Sequence, residues 1–181
     1  MTGALRPRRR ATSSGGAEDP FAVFGSAPRV ARVLTVCTGN VCRSPVMERL
    51  LAFRSRAAGL SVTVASAGTH ALVGRDMEPG SREILLRHGA DPDLFTSTSI
   101  NAVDLDSFDL VLTASEAHRV RIVERAPALL ARTRTLLGFV GPDEDEIVDP
   151  FGRTPDHYLA MERQIVPAID AVVAYLTRQR K

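Results

Sequence analysis

The chain has 181 residues, of which 44% are hydrophobic and 24% charged, the composition of a single soluble globular domain. No stretch approaches the ~20 consecutive apolar residues of a membrane-spanning helix. Four of the 23 basic residues and none of the 21 acidic residues lie within residues 1–10, and 5% of all residues are aromatic. The rest of the chain is therefore slightly acidic and poor in stacking side chains, which argues against a nucleic-acid-binding protein.

The N-terminal segment differs in composition from the rest of the chain. Residues 1–28 are rich in arginine and then in serine and glycine, which predicts a disordered tail ahead of a folded domain over 29–181. The tail is either a solvated extension or an electrostatic tether to a membrane or an acidic partner. No apolar signal segment follows the arginines, and Cys37 and Cys42 make no disulfide framework. A reduced, cytoplasmic thiol enzyme is therefore expected.

The first predicted strand, residues 33–36, leads directly into a tight polar loop. This loop, with the sequence Cys-Thr-Gly-Asn-Val-Cys-Arg-Ser-Pro, covers residues 37–45, and apolar residues at helical spacing follow it at Met47, Leu50 and Leu51. A polar loop between a strand and a helix N-terminus is typical of a phosphate-binding site. The residues expected to bind phosphate there are Thr38, Gly39, Asn40, Val41, Cys42 and Ser44.

Two side chains of this loop suit the chemistry of a phosphate ester. Cys37 is the candidate nucleophile, because inward-facing amides, the helix N-terminus and a nearby arginine favour thiolate over thiol. Arg43, six residues later, can grip two oxygens of a tetrahedral anion. Ser44 can donate its hydroxyl to the thiolate, and Pro45 suits the first helical position. Cys42 is either a small packing residue or a thiol that captures an oxidised Cys37.

Three further strands are predicted to alternate with helices along the rest of the chain. The strands are expected at 61–65, 108–113 and 133–140, and the helices at 82–88, 115–126 and from 155 onwards, the last with a kink or break at Pro167. Such alternation predicts a parallel sheet whose ligands lie beyond the carboxyl ends of its strands. Cys37 leaves the first strand at that edge and Asp149 follows the fourth strand. The fold is therefore expected to bring them together.

Asp149 is the candidate proton donor of a cysteine-dependent phosphatase. In that reaction Cys37 attacks phosphorus to form a phosphocysteine while Asp149 protonates the leaving oxygen. Water then hydrolyses the intermediate, with Asp149 acting as base. No metal and no cofactor are required. The four histidines lie in separate predicted elements, and each is interpreted as a surface or packing residue; they are His70, His88, His118 and His157.

The order and spacing of these motifs resemble the low-molecular-weight protein tyrosine phosphatase family. The family's Cys-x5-Arg-Ser-Pro pattern begins here at Cys37, and its Asp-Pro-aromatic motif is matched by Asp149-Pro150-Phe151. The resemblance implies a three-layer α/β sandwich with a four-stranded parallel sheet in the flavodoxin-like order 2-1-3-4. It also implies that Ser66 supports the loop and that Leu72 and Phe151 line the substrate pocket.

The resemblance also suggests a substrate class. Residues 71–74, Ala-Leu-Val-Gly, resemble the bacterial subgroup that acts on tyrosine kinases of capsule and exopolysaccharide export. The expected substrate is a phosphotyrosine-containing protein, with a bacterial tyrosine kinase as the partner class and exopolysaccharide regulation as the setting. The chain departs from the family at Phe95, where a histidine of the loop-supporting network is frequent, and at Thr98, where an arginine is frequent. Gly152 replaces the second aromatic residue of the Asp-Pro-Tyr-Tyr form.

Three alternatives compete with a phosphotyrosine phosphatase. Protein-arginine phosphatases resemble this chain in Cys-Thr-Gly-Asn and Asp-Pro-Phe-Gly, but they carry threonine where it has Val41, and an aliphatic residue there favours the tyrosine ester. An arsenate reductase would bind arsenate in the same loop, yet the thioredoxin-coupled type needs a cysteine outside it. The third alternative is a phosphate-binding module without catalysis, against which the intact Cys37, Arg43 and Asp149 argue.

Overall fold

The computed structural model describes residues 32–141 and 146–179, and its centre is a four-stranded parallel sheet. The strands are β1 (Arg32–Cys37), β2 (Thr63–Gly68), β3 (Leu110–Thr113) and β4 (Thr133–Thr135). Their order is β2-β1-β3-β4, and every pairing is parallel, which confirms the predicted fold class. The predicted tail at 1–28 lies outside the described residues. In the described ranges, no helix is long and apolar enough to cross a membrane.

Helices cover both faces of the sheet. The four α-helices are α1 (Arg43–Ala57), α2 (Pro79–Arg87), α3 (Glu116–Arg125) and α4 (Pro155–Arg178). The first, second and fourth pack together over one face, where they bury the larger apolar cluster. On the other face, α3 and the 3-10 segments Ile100–Ala102, Leu105–Ser107 and Pro127–Arg132 enclose a smaller cluster. The result is the predicted three-layer sandwich.

Strand β1 is central, and its alternation decides where the loop residues go. Successive side chains of a strand point to opposite faces. Leu34 and Val36 accordingly enter the smaller cluster, whereas Val33 and Cys37 enter the larger one beneath α1. Thr35 faces α1 as well, since its hydroxyl donates to the carbonyl of Ser44 at 2.9 Å. The end of β1 is therefore tied to the start of α1, and Cys37 is delivered to that junction.

Several predicted boundaries were wrong. Strand β4 ends at Thr135 rather than at residue 140, because Leu137–Phe139 forms a 3-10 turn. The Gly138 amide in this turn donates to the Thr135 hydroxyl. Strand β2 begins two residues and ends three residues later than expected, at Thr63–Gly68. Helix α1 starts at Arg43, which makes Pro45 its third residue rather than its first. Helix α4 runs through Pro167 without a break.

Candidate active site

The loop between β1 and α1, here called the phosphate loop (residues 37–43), has its carbonyl groups tied outward. The segment from Thr69 to Glu78 wraps around it. The amides of that segment donate to four loop carbonyls at 2.8–3.0 Å, those of Cys37, Thr38, Gly39 and Val41. Because these carbonyls have partners outside the loop, they are not directed at an anion bound within it.

Close approach of the two segments requires a glycine at the end of β2. A Cβ placed on Gly68 would lie 2.5 Å from the Thr38 carbonyl oxygen, so no other residue fits without displacing the loop. The amides of Gly39, Val41 and Cys42, by contrast, have no acceptor in the described part of the chain. They are left as donors for an anion.

The start of α1 adds to this positive field. Cys42 precedes the helix without a side-chain capping hydrogen bond, and the first turn contains no acidic residue. The N-terminal amides of a helix are orphaned donors at the positive end of its dipole. The local sequence thus leaves the helix N-terminus uncapped where an anion can take that place.

Arg43 is buried beside the loop. It is 2% exposed, and its Nη2 donates to the Thr38 hydroxyl at 3.3 Å and to Asp149 Oδ2 at 2.7 Å. Its Nη1 donates to the Ile147 carbonyl at 3.3 Å and lies 3.5 Å from Glu146 Oε1. Its Nε is buried with no acceptor among the described residues. A buried cation with an unused donor suits a bound anion.

The Cys37 sulfur accepts hydrogen bonds from its own loop. The amide of Asn40 donates to Sγ at 3.3 Å, and Ser44 Oγ lies 3.0 Å from it. Ser44 Oγ accepts from Asn40 Nδ2 at 2.9 Å, and its own proton has two acceptors within reach, the sulfur and the Ala67 carbonyl at 3.5 Å. The Asn40 amide and the Ser44 hydroxyl thus both lie within hydrogen-bond distance of the sulfur, and donation from Ser44 to a Cys37 thiolate stays a prediction.

Asn40 organises this network from the left-handed region, at φ 56°, which asparagine adopts more readily than most residues. Its Nδ2 donates to Ser44 and to Ser66 Oγ at 2.9 Å, and its Oδ1 accepts from the Thr98 amide at 2.7 Å. Ser66 in turn donates to Glu48, whose pKa is raised by burial. Every polar atom of the Asn40 side chain is therefore used.

Asn40 keeps its hydrogen bonds although Phe95 and Thr98 differ from the residues that are frequent at these positions in the family. At Thr98 the main-chain amide makes the contact, so the side chain at that position is free to differ. Phe95 is 7% exposed, and the Arg49 guanidinium lies 5.9 Å from the centre of its ring, within range of a cation–π contact. Asn40 thus keeps its hydrogen bond to position 98 without the arginine side chain that is frequent there.

Asp149 meets the phosphate loop from the other side. Besides the bond to Arg43, its Oδ1 accepts from the Phe151 amide at 3.2 Å, which is the local turn expected of Asp-Pro. Its side chain is 47% exposed. The fold therefore brings Cys37, Arg43 and Asp149 to one place, as predicted from the parallel topology.

These residues surround a pocket of about 150 Å³. His70 and most of the predicted site residues line it. The predicted residues in the lining are Cys37, Thr38, Gly39, Val41, Cys42, Arg43, Leu72, Asp149 and Phe151. Asn40 and Ser44 instead lie behind the loop, bonded to each other. Within ranges 32–141 and 146–179, no group of three or more His, Cys, Asp or Glu side chains is placed to hold a metal ion.

Three residues near the pocket were not identified from the sequence. His118 contacts Thr38 at 2.9 Å, Glu48 supports Ser66, and Tyr158 lies 3.9 Å from the Cys42 sulfur. The interpretation of His118 as a surface or packing residue was incomplete. The sequence did contain a signal for His118. Ser115 is the N-cap of α3, which follows β3 at the edge of the sheet where Cys37 lies, and His118 is in the first turn of that helix.

Cys42 is held apart from solvent. It is 2% exposed, and burial raises the pKa of its thiol to about 12. The residue is therefore a neutral thiol at neutral pH, packed against the hydroxyl of Tyr158. Its capture of an oxidised Cys37 stays a prediction.

Comparison with known proteins gives a consistent result. The model of the family described as low molecular weight phosphotyrosine protein phosphatase matches residues 32–181. A relative in Salmonella typhi, the low molecular weight protein-tyrosine-phosphatase Wzb, is 35% identical over 130 residues, which cover 72% of this chain and 83% of the relative. A protein-arginine-phosphatase of Geobacillus stearothermophilus is 32% identical over 149 residues, covering 82% of this chain and 98% of the relative.

A solved structure has the same architecture. The low molecular weight protein tyrosine phosphatase of T. tengcongensis superposes with a TM-score of 0.74 at 32% identity, covering 80% of this chain and 99% of that chain. The sequence and the fold thus point to one family, with both tyrosine and arginine phosphatases among the similar proteins.

Proposed function

The chain belongs to the low molecular weight phosphotyrosine protein phosphatase family, and on that premise we propose that its pocket hydrolyses phosphotyrosine in proteins. One observation carries the proposal. Cys37, buried Arg43 and Asp149 meet at a single pocket whose floor is a loop with its carbonyls tied outward. Nucleophile, charge stabiliser and proton donor are then present in the arrangement that phosphoryl transfer needs.

Binding of the dianion comes first. Its oxygens accept from the amides of the phosphate loop and from Arg43, whose Nε is unused. These donors are fixed before substrate arrives, so they cost little reorganisation as charge spreads over the equatorial oxygens. The Cys37 thiolate then attacks phosphorus, and the phosphorus bond to the tyrosine oxygen breaks as the sulfur–phosphorus bond forms.

The leaving phenoxide takes a proton from Asp149. In the structure Arg43 holds Asp149 Oδ2 at 2.7 Å, and the phosphoryl oxygens compete for that guanidinium. Asp149 is then released from Arg43 and lies beside the leaving oxygen, where a general acid has to be. In the second step Asp149 accepts a proton from water as that water attacks the phosphocysteine, and phosphate and free thiolate are released.

Apolar groups around the loop support an aromatic ester as substrate. A Cβ on Gly39 would lie 3.5 Å from Val41 Cγ2 and 3.8 Å from Leu72 Cγ, so these two side chains form one side of the mouth. Phe151, which is 48% exposed, forms part of the lining beyond Asp149. A phenyl ring packs on such surfaces. The partner class is a phosphotyrosine protein, and the proposed partner is a bacterial tyrosine kinase of exopolysaccharide export acting in the cytoplasm.

Phosphoarginine is the second candidate substrate. The similarity to a protein-arginine-phosphatase over 82% of the chain favours it, as does the Asp-Pro-Phe-Gly segment. Val41 argues against it, because an aliphatic side chain offers a guanidinium no hydrogen bond.

A substrate panel separates these functions. Peptides carrying phosphotyrosine, phosphoarginine or phosphoserine are incubated with the wild type, Cys37→Ser and Val41→Thr. We expect phosphotyrosine to be hydrolysed fastest, Cys37→Ser to lose turnover while still binding vanadate, and Val41→Thr to move the preference towards phosphoarginine. Faster hydrolysis of phosphoarginine by the wild type would replace the first candidate with the second. Phosphate binding without turnover of any peptide would identify a binding module.

A further inference from the structure

Thr38 stands at the junction between the phosphate loop and a second chain of hydrogen bonds. Its hydroxyl oxygen lies 3.3 Å from Arg43 Nη2 and 2.9 Å from His118 Nε2. The guanidinium has donors only, so it occupies one of the two lone pairs of that hydroxyl. Whether the hydroxyl proton points to His118 or into the pocket depends on which nitrogen of His118 carries the proton.

His118 is enclosed between Thr38 and Ser115. The residue is 7% exposed, and its Nδ1 lies 2.7 Å from Ser115 Oγ. Burial and the positive charge of Arg43 lower the pKa of His118 to about 4. The ring is therefore neutral at neutral pH and carries a single proton, on either Nδ1 or Nε2.

The hydrogen bonds of Ser115 decide between the two nitrogens. Ser115 is 4% exposed, and as the N-cap of α3 its oxygen accepts from the His118 amide. Its hydroxyl proton has no acceptor except His118 Nδ1 in the described part of the chain. A buried hydroxyl that withholds its proton from the available acceptor costs free energy. Ser115 therefore donates to Nδ1, and the ring proton lies on Nε2, facing Thr38.

With Arg43 and His118 both donating to it, Thr38 has no lone pair left for another donor, and its own proton turns to the pocket that it lines. We propose that His118 is a positioning residue which, held by Ser115, directs the Thr38 hydroxyl to donate a hydrogen bond to the phosphoryl group. This inference rests on the proposed function for its ligand. It assigns to Thr38 a side-chain role in addition to that of the loop backbone.

The first test uses the free protein and needs no activity. Long-range ¹H–¹⁵N correlation spectra of uniformly ¹⁵N-labelled wild type report the tautomer of each histidine. We expect His118 to carry its proton on Nε2, and Ser115→Ala to shift the ring towards the Nδ1-protonated form, whereas the spectrum of exposed His70 stays the same in both proteins. An Nδ1-protonated His118 in the wild type would overturn the proposal.

The second test measures binding of inorganic vanadate and phosphate by calorimetry, alongside kcat/KM. Thr38→Val keeps the shape of the side chain without the hydroxyl and should weaken both anions by about 10- to 100-fold, the range for a hydrogen bond to a charged group. Thr38→Ser is the matched control and should bind almost as the wild type does. Equal binding by Thr38→Val and the wild type would refute the role of the hydroxyl.

Variants of His118 test positioning against simple packing. His118→Phe should weaken vanadate binding, and His118→Gln, which keeps an N–H near the position of Nε2, should recover most of it. In a Thr38→Val background His118→Phe should add little, because its target is already gone. Additive losses would show that His118 acts only through packing. A wild type that binds vanadate with this pattern but hydrolyses no phosphopeptide would reject the proposed function and leave this inference standing.

Discussion

The two sides of the pocket are built differently. On one side Cys37, Asn40 and Arg43 are at most 2% exposed, and their polar atoms take part in a dense set of hydrogen bonds. On the other side Asp149 has a side chain that is 47% exposed, and Phe151 is 48% exposed. The first side has to stabilise the phosphoryl group, which is the same in every substrate. The second meets the leaving group, which varies.

This contrast has a physical basis. Charge stabilisation in a transition state is effective when donors are already in place and shielded from water, so the phosphate loop is buried and its carbonyls are held outward. A general acid needs to reach the leaving oxygen and exchange protons with solvent between the two steps. An exposed aspartate held by Arg43 and one backbone amide meets both needs.

The largest expected effect is the loss of activity when Arg43, on the buried side of the pocket, is replaced by lysine. Lysine keeps the charge but cannot offer two parallel N–H groups or the unused Nε donor. We expect kcat/KM for a phosphotyrosine peptide to fall about 1,000-fold. Arg82→Lys, at a half-buried arginine paired with Asp76 and Asp93, is the control and should remain active. Near-normal kinetics in Arg43→Lys would show that a point charge suffices.

Removing Asp149 should affect the exposed side in a manner that depends on the substrate. Asp149→Ala should slow hydrolysis of phenyl phosphate about 100-fold, because phenoxide needs a proton, and slow an ester of a very acidic phenol much less. Glu146→Gln is the matched control, since Glu146 also contacts Arg43 but is not the expected donor. Equal losses on both esters would place the general acid elsewhere.

The support of the loop can be separated from its chemistry at Asn40. Asn40→Gly keeps the left-handed backbone and removes the side chain, whereas Asn40→Ala also strains the backbone. We expect both to lower kcat/KM about tenfold and to reduce the free energy of unfolding, by about 2 kcal/mol for glycine and about 3 kcal/mol for alanine. Urea denaturation measures the difference, and equal stability of the two variants would mean that the strain is negligible.

The last prediction concerns the pH dependence of stability that comes from His118, which faces Arg43 and lies near Asp149 and His70. Its pKa is about 4 in the folded protein, against 6.5 for an unperturbed histidine. The unfolded chain therefore binds more protons between these values, and stability falls as pH falls through that window. We expect a loss of about 2 kcal/mol between pH 7 and pH 5 that is absent in His118→Gln. Parallel curves for the two proteins would show that His118 has the same pKa in the folded and unfolded states.

Local pattern was sufficient for a large part of the architecture. The apolar run before Cys37 and the helical spacing after Pro45 predicted the strand, loop and helix, because each depends on neighbours within a few residues. Alternation of strands and helices then predicted a parallel sheet with the candidate nucleophile and Asp149 at one edge. The predicted boundaries at β2, β4 and the start of α1 were wrong, because the ends of an element depend on turn and cap hydrogen bonds that hydrophobic periodicity does not report.

The sequence by itself predicted which residues are proposed to do the chemistry, because a cysteine, an arginine and an aspartate at these spacings are typical of a cysteine-dependent phosphatase. The tertiary structure alone decided how they are held. The loop is supported by residues up to 80 positions away, namely Glu48, the Thr98 amide and His118. Such contacts produce no periodic pattern in the sequence from which they could be predicted. Burial then sets their electrostatic state, since the neutrality of His118 follows from its enclosure beside Arg43, a property of the assembled fold.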